Sequence, residues 1–483
     1  MQGSFGFFGG ASALYACFYT FCLYRNASGI TYPFFVAGTL FFFYLCTKKS
    51  GVPWKKDSGF YLVSILLLGT SVFLTDNGAI HLFTKAGILL LTLSMMLHQY
   101  LRDEDWSFFK YLSALGQGLV ETVCCVGCPV SDGNGWLKER EQSGRKGKGR
   151  YVILGLLILL PLLLVVLALL VSADAVFRSL FVRLFYHISP FRIAGLLCMA
   201  LAAFWGAYCF IAMLNKRVIR EECPEKKGQE PVLAITVTSV LAVVYLIFCG
   251  IQIVYLFLGQ LRLPAGYTYS SYARQGFFQL LAVCAINLTV VLVCLSCFRE
   301  NRVLKGILTV ISLCTYILAA SSAYRMLLYI RYCQLTFLRI LVLWALCVIA
   351  VMLGGIIYSI YRPAFRLFRY LTVTVTVCYI FLAFARPDYW IARYNMSFVN
   401  MSTAYDHDAE DTSYRDLSYL AGLSADAAPV LASPEYYSYL KRSSYAMQDY
   451  FFETKEKAED CGMRSFNLSR YLAGKAIARV TVR

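Results

Sequence analysis

Long uninterrupted runs of hydrophobic residues recur along most of the chain. Each run is close to the length of about twenty residues that an α-helix needs to cross the hydrocarbon core of a bilayer. Hydropathy places eleven of them, at residues 4–24, 30–46, 59–75, 80–99, 151–171, 190–214, 231–258, 276–297, 304–328, 336–360 and 367–385. The pattern predicts an all-α, polytopic transmembrane helix bundle of about eleven spans. No basic region precedes the first run, so we expect it to be a retained span and not a cleaved signal peptide.

Three other stretches depart from this pattern and suggest domain boundaries. Residues 106–127 are apolar but follow three acidic residues, Asp103–Asp105, which favours an interfacial or re-entrant helix. Residues 138–150 form a basic, glycine-containing linker, and residues 386–483 form a more polar tail with short helical patterns. We therefore predict an N-terminal membrane region (1–150), a core transmembrane region (151–385) and a small C-terminal helical domain (386–483).

Composition and charge support a membrane protein and indicate its orientation. The chain is 59% hydrophobic and 15% charged, whereas soluble domains carry about 25% charged residues. Its net charge of +17 lies mostly in short loops, so membrane lipids and topology explain it better than nucleic acid does. With a cytoplasmic N-terminus, 23 Lys and Arg fall in inside loops and 8 in outside segments. This bias predicts a multipass membrane protein with its N-terminus inside, and eleven spans then place the C-terminal tail outside.

The residues that could carry chemistry are sparse. Most of the 18 cysteines lie in apolar runs, where cysteine behaves as a small hydrophobic residue. Cys124–Cys128 and Cys294–Cys297 have metal-ligand spacing, but a structural zinc site needs four ligands and no two histidines share such spacing. Lipid modification or packing suits these cysteines at least as well. We predict no metal, no cofactor and no motif-based catalytic site, and we favour a non-enzyme.

One group of polar residues stands out by its position. Arg325 follows about twenty apolar or small residues, and a charge at the bilayer centre costs at least about 2.5–3.5 kcal/mol, less near an interface. On the predicted topology other polar residues converge on the same outer face. The predicted ligand-binding residues are Arg274, Arg325, Arg339, Asp174, Tyr269 and Tyr329.

Two interpretations of this arginine cluster remain open. In the first, Asp174 and Asp388 neutralise the arginines, and the cluster is a structural clamp that holds the tail on the bundle. In the second, the cluster is an outward-facing site for an anionic small molecule or a lipid headgroup, because guanidinium binds phosphate and carboxylate bidentately.

Five segments in order resemble motifs of a bacterial multipass membrane family known only as a domain of unknown function, of the DUF4153/4173 type. They are Ala265–Phe278, Ala323–Ile330, Ile391–Asn395, Leu420–Leu431 and Phe466–Arg470. The ordered match covers roughly residues 150–470. The resemblance implies a protein of the bacterial cytoplasmic membrane, but it implies no activity, substrate or catalytic residue.

Three functional hypotheses follow from the residues. The first is binding or transport of an anionic or lipidic ligand at the arginine cluster. The second is a non-enzymatic membrane sensor or scaffold that anchors the tail for a partner. The third is a membrane-embedded transferase on a lipid-linked substrate, for which Asp174 would be the acid or base.

Overall fold

The protein is all helical wherever its structure is described. The computed structural model describes residues 5–103, 106–142, 190–216, 229–254, 276–398 and 417–481, and the positions 159, 166, 169, 170 and 172–174 between them. The regular elements in these ranges are helices, which confirms the predicted all-α class. They are α1 (Phe5–Leu23), α2 (Thr31–Lys49), α3 (Gly59–Leu74), α4 (Gly78–Tyr100), α5 (Phe108–Cys124), α6 (Cys128–Gln142), α7 (Pro190–Lys216), α8 (Pro231–Gln252), α9 (Phe277–Cys297), α10 (Arg302–Cys333), α11 (Phe337–Tyr361), α12 (Leu367–Phe384), α13 (Pro387–Met396), α14 (Ala428–Leu431), α15 (Tyr437–Ser443), α16 (Tyr445–Glu459) and α17 (Leu468–Thr481).

Ten helical stretches in the described part of the chain are long and apolar enough to cross a membrane. Many large apolar side chains on them are exposed, among them Leu14, Val240 and Phe381. A soluble protein rarely leaves so much contiguous apolar surface in water, whereas lipid tails accept it. The chain is therefore an integral membrane protein with several spans.

The helices that are long and apolar enough to be spans differ from the predicted spans in two places. The segment 106–127, predicted as interfacial or re-entrant, is part of a helical stretch from Phe108 to Lys138 that qualifies as a span. The reason is that α6 follows α5 through a single 3-10 turn, Cys125–Gly127, so the helical stretch does not end there. Conversely, α2 forms where a span was predicted but is not among the ten. The predicted span 151–171 lies almost wholly outside the described residues.

The chain forms two compact units. The first contains residues 1–27, 34–55 and 116–219, and in it α1 packs along α7. Contacts of aromatic residues stabilise this unit. Tyr15 stacks on Phe42 with ring centroids 4.6 Å apart, and the Tyr208 hydroxyl donates a hydrogen bond to the Asp132 carboxylate at 2.9 Å.

The second unit contains residues 28–33, 56–115 and 220–483. Its bundle is organised around α10, which packs against α8, α9 and α11; α12 then joins α11 to α3, and α3 pairs with α4. Side-chain caps start two of these helices. The Asn77 side chain accepts from the Ile80 amide at 3.0 Å, and the Asn301 side chain accepts from the Val303 amide at 2.8 Å.

The C-terminal segment has a hydrophobic core of its own within the second unit. Ile391, Leu431, Met447 and Ile477 belong to this core, and the residues between α10 and α11 pack against it. The Asn395 side-chain amide also bonds both backbone groups of Leu335, at 2.8 and 2.9 Å. The predicted domain boundaries at residues 150 and 385 remain predictions.

Candidate functional site

The helices of the second unit bring polar residues together at two opposite ends. The tail end contains the α3–α4 loop, Thr75–Asn77, and the corner between α12 and α13, Arg386–Asp388. The far end contains the start of α3, the end of α4 and the start of α12. Because α3 has 16 residues and a helix rises 1.5 Å per residue, the two ends are about 24 Å apart.

Arg325 lies near the tail end of α10 and contacts a neutral side chain. Its Nη2 donates to Gln252 Oε1 at 3.3 Å, and Ser321 Oγ donates to the same oxygen at 2.7 Å. Gly276, which precedes α9, has a left-handed backbone with φ of 99°, and a Cβ there would lie 2.9 Å from Arg325 Nη1. Glycine at this position therefore lets the guanidinium approach the backbone.

Arg339 and Tyr329 contact each other at the same end. The Arg339 guanidinium lies over the Tyr329 ring at 4.1 Å from its centroid, and Arg339 also donates to the Gln334 carbonyl. A guanidinium over an aromatic face is stabilised by the ring quadrupole, by about 0.5–2 kcal/mol depending on solvent exposure.

The remaining predicted site residues are Arg274, Tyr269 and Asp174. Arg274 and Tyr269 lie outside the described residues. Asp174 is exposed and belongs to the first compact unit. The structure thus describes Arg325, Arg339 and Tyr329 at one end of one unit, and the six-residue ligand site remains a prediction.

A buried carboxylate, Asp426, fixes the C-terminal segment at the tail end. Asp426 is fully buried, and its Oδ1 is 3.0 Å from both Nε and Nη2 of Arg386. Its other oxygen accepts from the Thr75 hydroxyl and, at 3.2 Å, from the Asp76 amide. A guanidinium counter-charge and several hydrogen-bond donors are what a buried carboxylate needs to offset its desolvation.

A second buried carboxylate, Asp388, lies beside it and has neutral partners. Its Oδ2 accepts from Asn77 Nδ2 at 2.9 Å, from the Ser424 amide at 3.1 Å and from the Ser424 hydroxyl at 2.6 Å. Burial raises the pKa of Asp388, the Ser424 and Asn77 hydrogen bonds lower it, and nearby Asp426 raises it further; the net direction is upward. Asp388 was predicted to neutralise arginines, but the donors to it in the described residues are Asn77 and Ser424.

The last helix is attached to the same loop by a third set of bonds. Asn467 Nδ2 donates to the Thr75 and Ser28 carbonyls at 3.0 and 3.1 Å, while its Oδ1 accepts from the Ser469 amide at the start of α17. Arg470 Nε donates to Asp76 Oδ1 at 2.8 Å. One short loop thus receives side chains from two distant parts of the chain.

We refer to the polar residues that hold the C-terminal segment at this end as the tail-docking cluster. They are Thr75, Asp76, Asn77, Arg386, Asp388, Asp426, Asn467 and Arg470. Sequence reasoning missed most of this cluster. Asp388 was singled out, but Asp426, Asn467 and Asn77 were not given a role. Asp426 and Asn467 do lie inside two of the quoted motifs, Leu420–Leu431 and Phe466–Arg470, and that was the signal available. Their partners are hundreds of residues away, so no local pattern could pair them.

The far end contains a cavity of about 370 Å³. Its charged and ionisable lining residues are Asp57, His98, Asp103, Arg366 and Arg369, and its aromatic lining residues include Tyr61, Trp106, Phe108, Tyr111 and Phe368. We refer to it as the far-end cavity. It is concave, partly apolar and lined by a few convergent polar groups, which is typical of ligand sites.

Two guanidinium groups from the start of α12 reach one carboxylate in the far-end cavity. Arg369 Nη1 donates to Asp57 Oδ2 at 2.5 Å, and Arg366 Nη1 is 3.9 Å from the same oxygen. All three side chains are about half exposed, at 46%, 50% and 49% for Arg369, Arg366 and Asp57. These charges are therefore held in place but open to exchange with a solute.

A second group of lining residues in the far-end cavity is better buried, with His98 and Asp103 14% and 6% exposed. His98 Nδ1 is 2.7 Å from Asp103 Oδ2, and the Tyr111 hydroxyl donates to the same carboxylate. Tyr111 in turn stacks on Phe368 with centroids 3.9 Å apart and planes 2° from parallel. This network connects α4 and α5 to the start of α12.

The comparison with family models decides the family. The model described as a domain of unknown function (DUF4153) matches residues 62–433, more than half of the chain. The chain belongs to the DUF4153 family. This confirms the resemblance noted above, although the match begins earlier than the predicted 150 and ends before α15. Neither a curated protein nor a solved structure matches the chain.

The DUF4153 match includes most of both ends of the bundle. At the tail end it contains Asn77, Asp388 and Asp426, but not Asn467. At the far end it contains Arg366 and Arg369, but not Asp57. The family has no assigned function, so the activity has to be argued from the geometry.

Proposed function

We propose that this membrane protein binds an anionic amphiphile, a lipid with a phosphate headgroup or a similar anionic small molecule, in the far-end cavity. The observation that supports the proposal is the placement of Arg366 and Arg369 on its wall, both about half exposed. Guanidinium matches phosphate and carboxylate in shape and can donate two hydrogen bonds to either.

The start of α12 adds to the attraction for an anion. Arg366 precedes the helix and Arg369 lies in its first turn. The first amide groups of a helix have no intrahelical acceptor, and the helix dipole is positive there. A phosphate beside these arginines would therefore find backbone donors as well as side-chain donors.

The other walls suit the apolar part of such a ligand. Phe108, Leu295 and Leu367 line the far-end cavity next to the charged groups. The partner of the arginines in this structure, Asp57, occupies the position that a ligand anion would take. Binding therefore replaces one anion by another, which favours exchange over permanent occupancy.

Binding of a short-chain lipid to the purified full-length protein tests the proposal. We expect dihexanoyl phosphatidylglycerol to bind, and Arg369→Gln to weaken it about tenfold, as expected for one charge-assisted hydrogen bond of about 1.5 kcal/mol. The matched control is Arg362→Gln, because Arg362 is exposed in the same loop but does not line the far-end cavity. Native mass spectrometry gives the affinities.

Three probes separate the sources of the anion. Dihexanoyl phosphatidylcholine has the same chains without net charge and should bind more weakly. Inorganic phosphate that binds as tightly as the phosphatidylglycerol would make a free phosphate the ligand. Equal affinity for both lipids would contradict the proposal. So would an equal loss of phosphatidylglycerol affinity in Arg369→Gln and Arg362→Gln.

A specific observation also favours the scaffold as a second candidate. The tail-docking cluster uses two buried carboxylates and Asn467 to hold the C-terminal segment against one loop. A segment held this firmly is well suited to present its surface to a partner. The predicted arginine site with Arg325 and Arg339 is a further candidate for the same anionic ligands, and Arg325→Ala in the same binding assay separates it from the far-end cavity.

A further inference from the structure

A group of thiols and one lysine lies in the first unit, apart from both ends described above. Lys216 Nζ donates to Cys128 Sγ at 3.1 Å, and the Cys209 thiol donates to the Cys125 carbonyl at 3.2 Å. The Cys125 and Cys128 side chains are neighbours and interact with each other. Both cysteines are buried and reduced, with Cys125 2% and Cys128 9% exposed.

Local backbone geometry explains why these two cysteines meet. Residues Cys125–Gly127 form a 3-10 turn between α5 and α6. A 3-10 turn has three residues per turn, so the side chains at positions i and i+3 eclipse each other. Cys125 and Cys128 are three apart and therefore project to the same side, as a disulfide requires.

Lys216 brings a positive charge to the sulfur of Cys128. Its ammonium donates to Cys128 Sγ at 3.1 Å. A neighbouring lysine stabilises the negative charge of a cysteine sulfur that attacks a disulfide. Lys216 is exposed at the end of α7, so the lysine connects the buried thiols to the surface.

We propose that Cys125 and Cys128 form a redox-active dithiol that exchanges with small disulfides. The Cys128 thiolate attacks one sulfur of a low-molecular-weight disulfide; a new sulfur–sulfur bond forms and one small thiolate leaves. The Cys125 thiolate then attacks Cys128 Sγ and expels the second small thiolate. The two cysteine protons end on the two released thiols, so the dithiol is oxidised and the small disulfide is reduced.

The chain contains a matched control with the same spacing. Cys294 and Cys297 are also three residues apart but lie in the last turn of α9, an unbroken α-helix. At 3.6 residues per turn their side chains diverge by about 60°. The lysine near that pair, Lys305, is bonded to Glu300 at 2.7 Å. The proposal therefore predicts that the two cysteine pairs react differently.

Glutathione redox buffers applied to the detergent-purified full-length protein test this. After acid quenching and alkylation, mass spectrometry should show a reversible Cys125–Cys128 disulfide at neutral pH, with Cys294 and Cys297 still reduced. Cys128→Ser should abolish it, and Cys209→Ala should leave it. Lys216→Met should slow its formation about tenfold, and Lys216→Arg should restore most of the rate.

Any of three results would overturn the proposal. The first is that oxidised glutathione alone produces no Cys125–Cys128 disulfide. The others are equal oxidation of the Cys294–Cys297 pair and a Cys125–Cys209 disulfide in place of Cys125–Cys128. One zinc ion bound per chain that protects these thiols would assign them to a metal. If Lys216→Met does not fold, the effect of the lysine can be measured with Lys216→Gln and from the pH dependence of the rate of disulfide formation in wild type.

Discussion

Arg386 and Asp426 form an ion pair in which Arg386 Nε donates to Asp426 Oδ1 at 3.0 Å and Nη2 lies 3.0 Å from the same oxygen. Asp426 is fully buried, and Arg386 has a left-handed backbone, with φ of 51°, at the corner after α12. A non-glycine residue in this region is strained. The ion pair therefore holds the chain in a turn that it would otherwise avoid, and it attaches the C-terminal segment to the bundle.

The first prediction concerns this ion pair. Asp426→Asn leaves the Arg386 charge uncompensated and should weaken docking of the C-terminal segment by on the order of 3 kcal/mol. Hydrogen exchange of the α17 amides measures this weaker docking, because these amides should lose protection in the variant. Asp449→Asn, which removes an exposed charge from α16, should change protection little. Equal protection in wild type and Asp426→Asn would contradict the account.

The second prediction concerns pH and Asp388. Its pKa is raised in the folded protein, so the folded state binds the proton more tightly than the unfolded state does. This contribution to stability is fully present below the ordinary pKa and is lost as pH rises through the raised one. The stability of wild type relative to Asp388→Asn should therefore fall with rising pH across that window. Protection factors of α17 amides in both proteins measure it.

The comparison of the two proteins removes the effect of the neighbouring carboxylates. Asp426 and Asp76 are bonded to arginines, and the substitution at Asp388 changes none of these four residues. If the stability of wild type relative to Asp388→Asn rises with pH, the surroundings favour the charged Asp388 carboxylate, contrary to the account.

The third prediction concerns Gly276 and Arg325. Gly276→Ala introduces a Cβ at a left-handed position, which costs about 1–2 kcal/mol, and displaces the Arg325 guanidinium from 2.9 Å. We expect a lower melting temperature. Gly306→Ala in α10, where a Cβ would meet no described atom within 4 Å, should be neutral or stabilising by about 0.5–1 kcal/mol. Equal melting temperatures for the two variants would contradict the structural role of Gly276.

The fourth prediction concerns Asp57. If the ligand anion replaces its carboxylate beside Arg369, Asp57→Asn should tighten binding of dihexanoyl phosphatidylglycerol. The expected gain is about fivefold, the upper range for an exposed ion pair. Asp460→Asn, the same change at an exposed position after α16, should leave the affinity unchanged. Weaker binding in Asp57→Asn would mean that Asp57 helps the ligand instead of competing with it.

The sequence predicted the helices better than the contacts between them. Runs of apolar residues located most spans, because a span must be about twenty apolar residues long whatever surrounds it. The continuation of α5 into α6 was missed, since a single 3-10 turn at Cys125–Gly127 leaves no clear mark in hydropathy.

The candidate sites were predicted only in part, for a related reason. Arg325 was found because a charge in an apolar run is unusual, but its contact with Gln252 depends on how α8 packs on α10. Asp388 was found without its partner Asn77, which is 311 positions away in the chain. Arg366 and Arg369 were counted only as topology signals, because nothing in the sequence shows that they share a cavity with His98.

The most direct test of the ligand proposal is a cryo-electron microscopy structure of the protein in phosphatidylglycerol nanodiscs. The account predicts headgroup density in the far-end cavity, within hydrogen-bonding distance of Arg366 and Arg369, with Asp57 displaced from Arg369. A far-end cavity without lipid, with Asp57 still bonded to Arg369 at saturating phosphatidylglycerol, would contradict it.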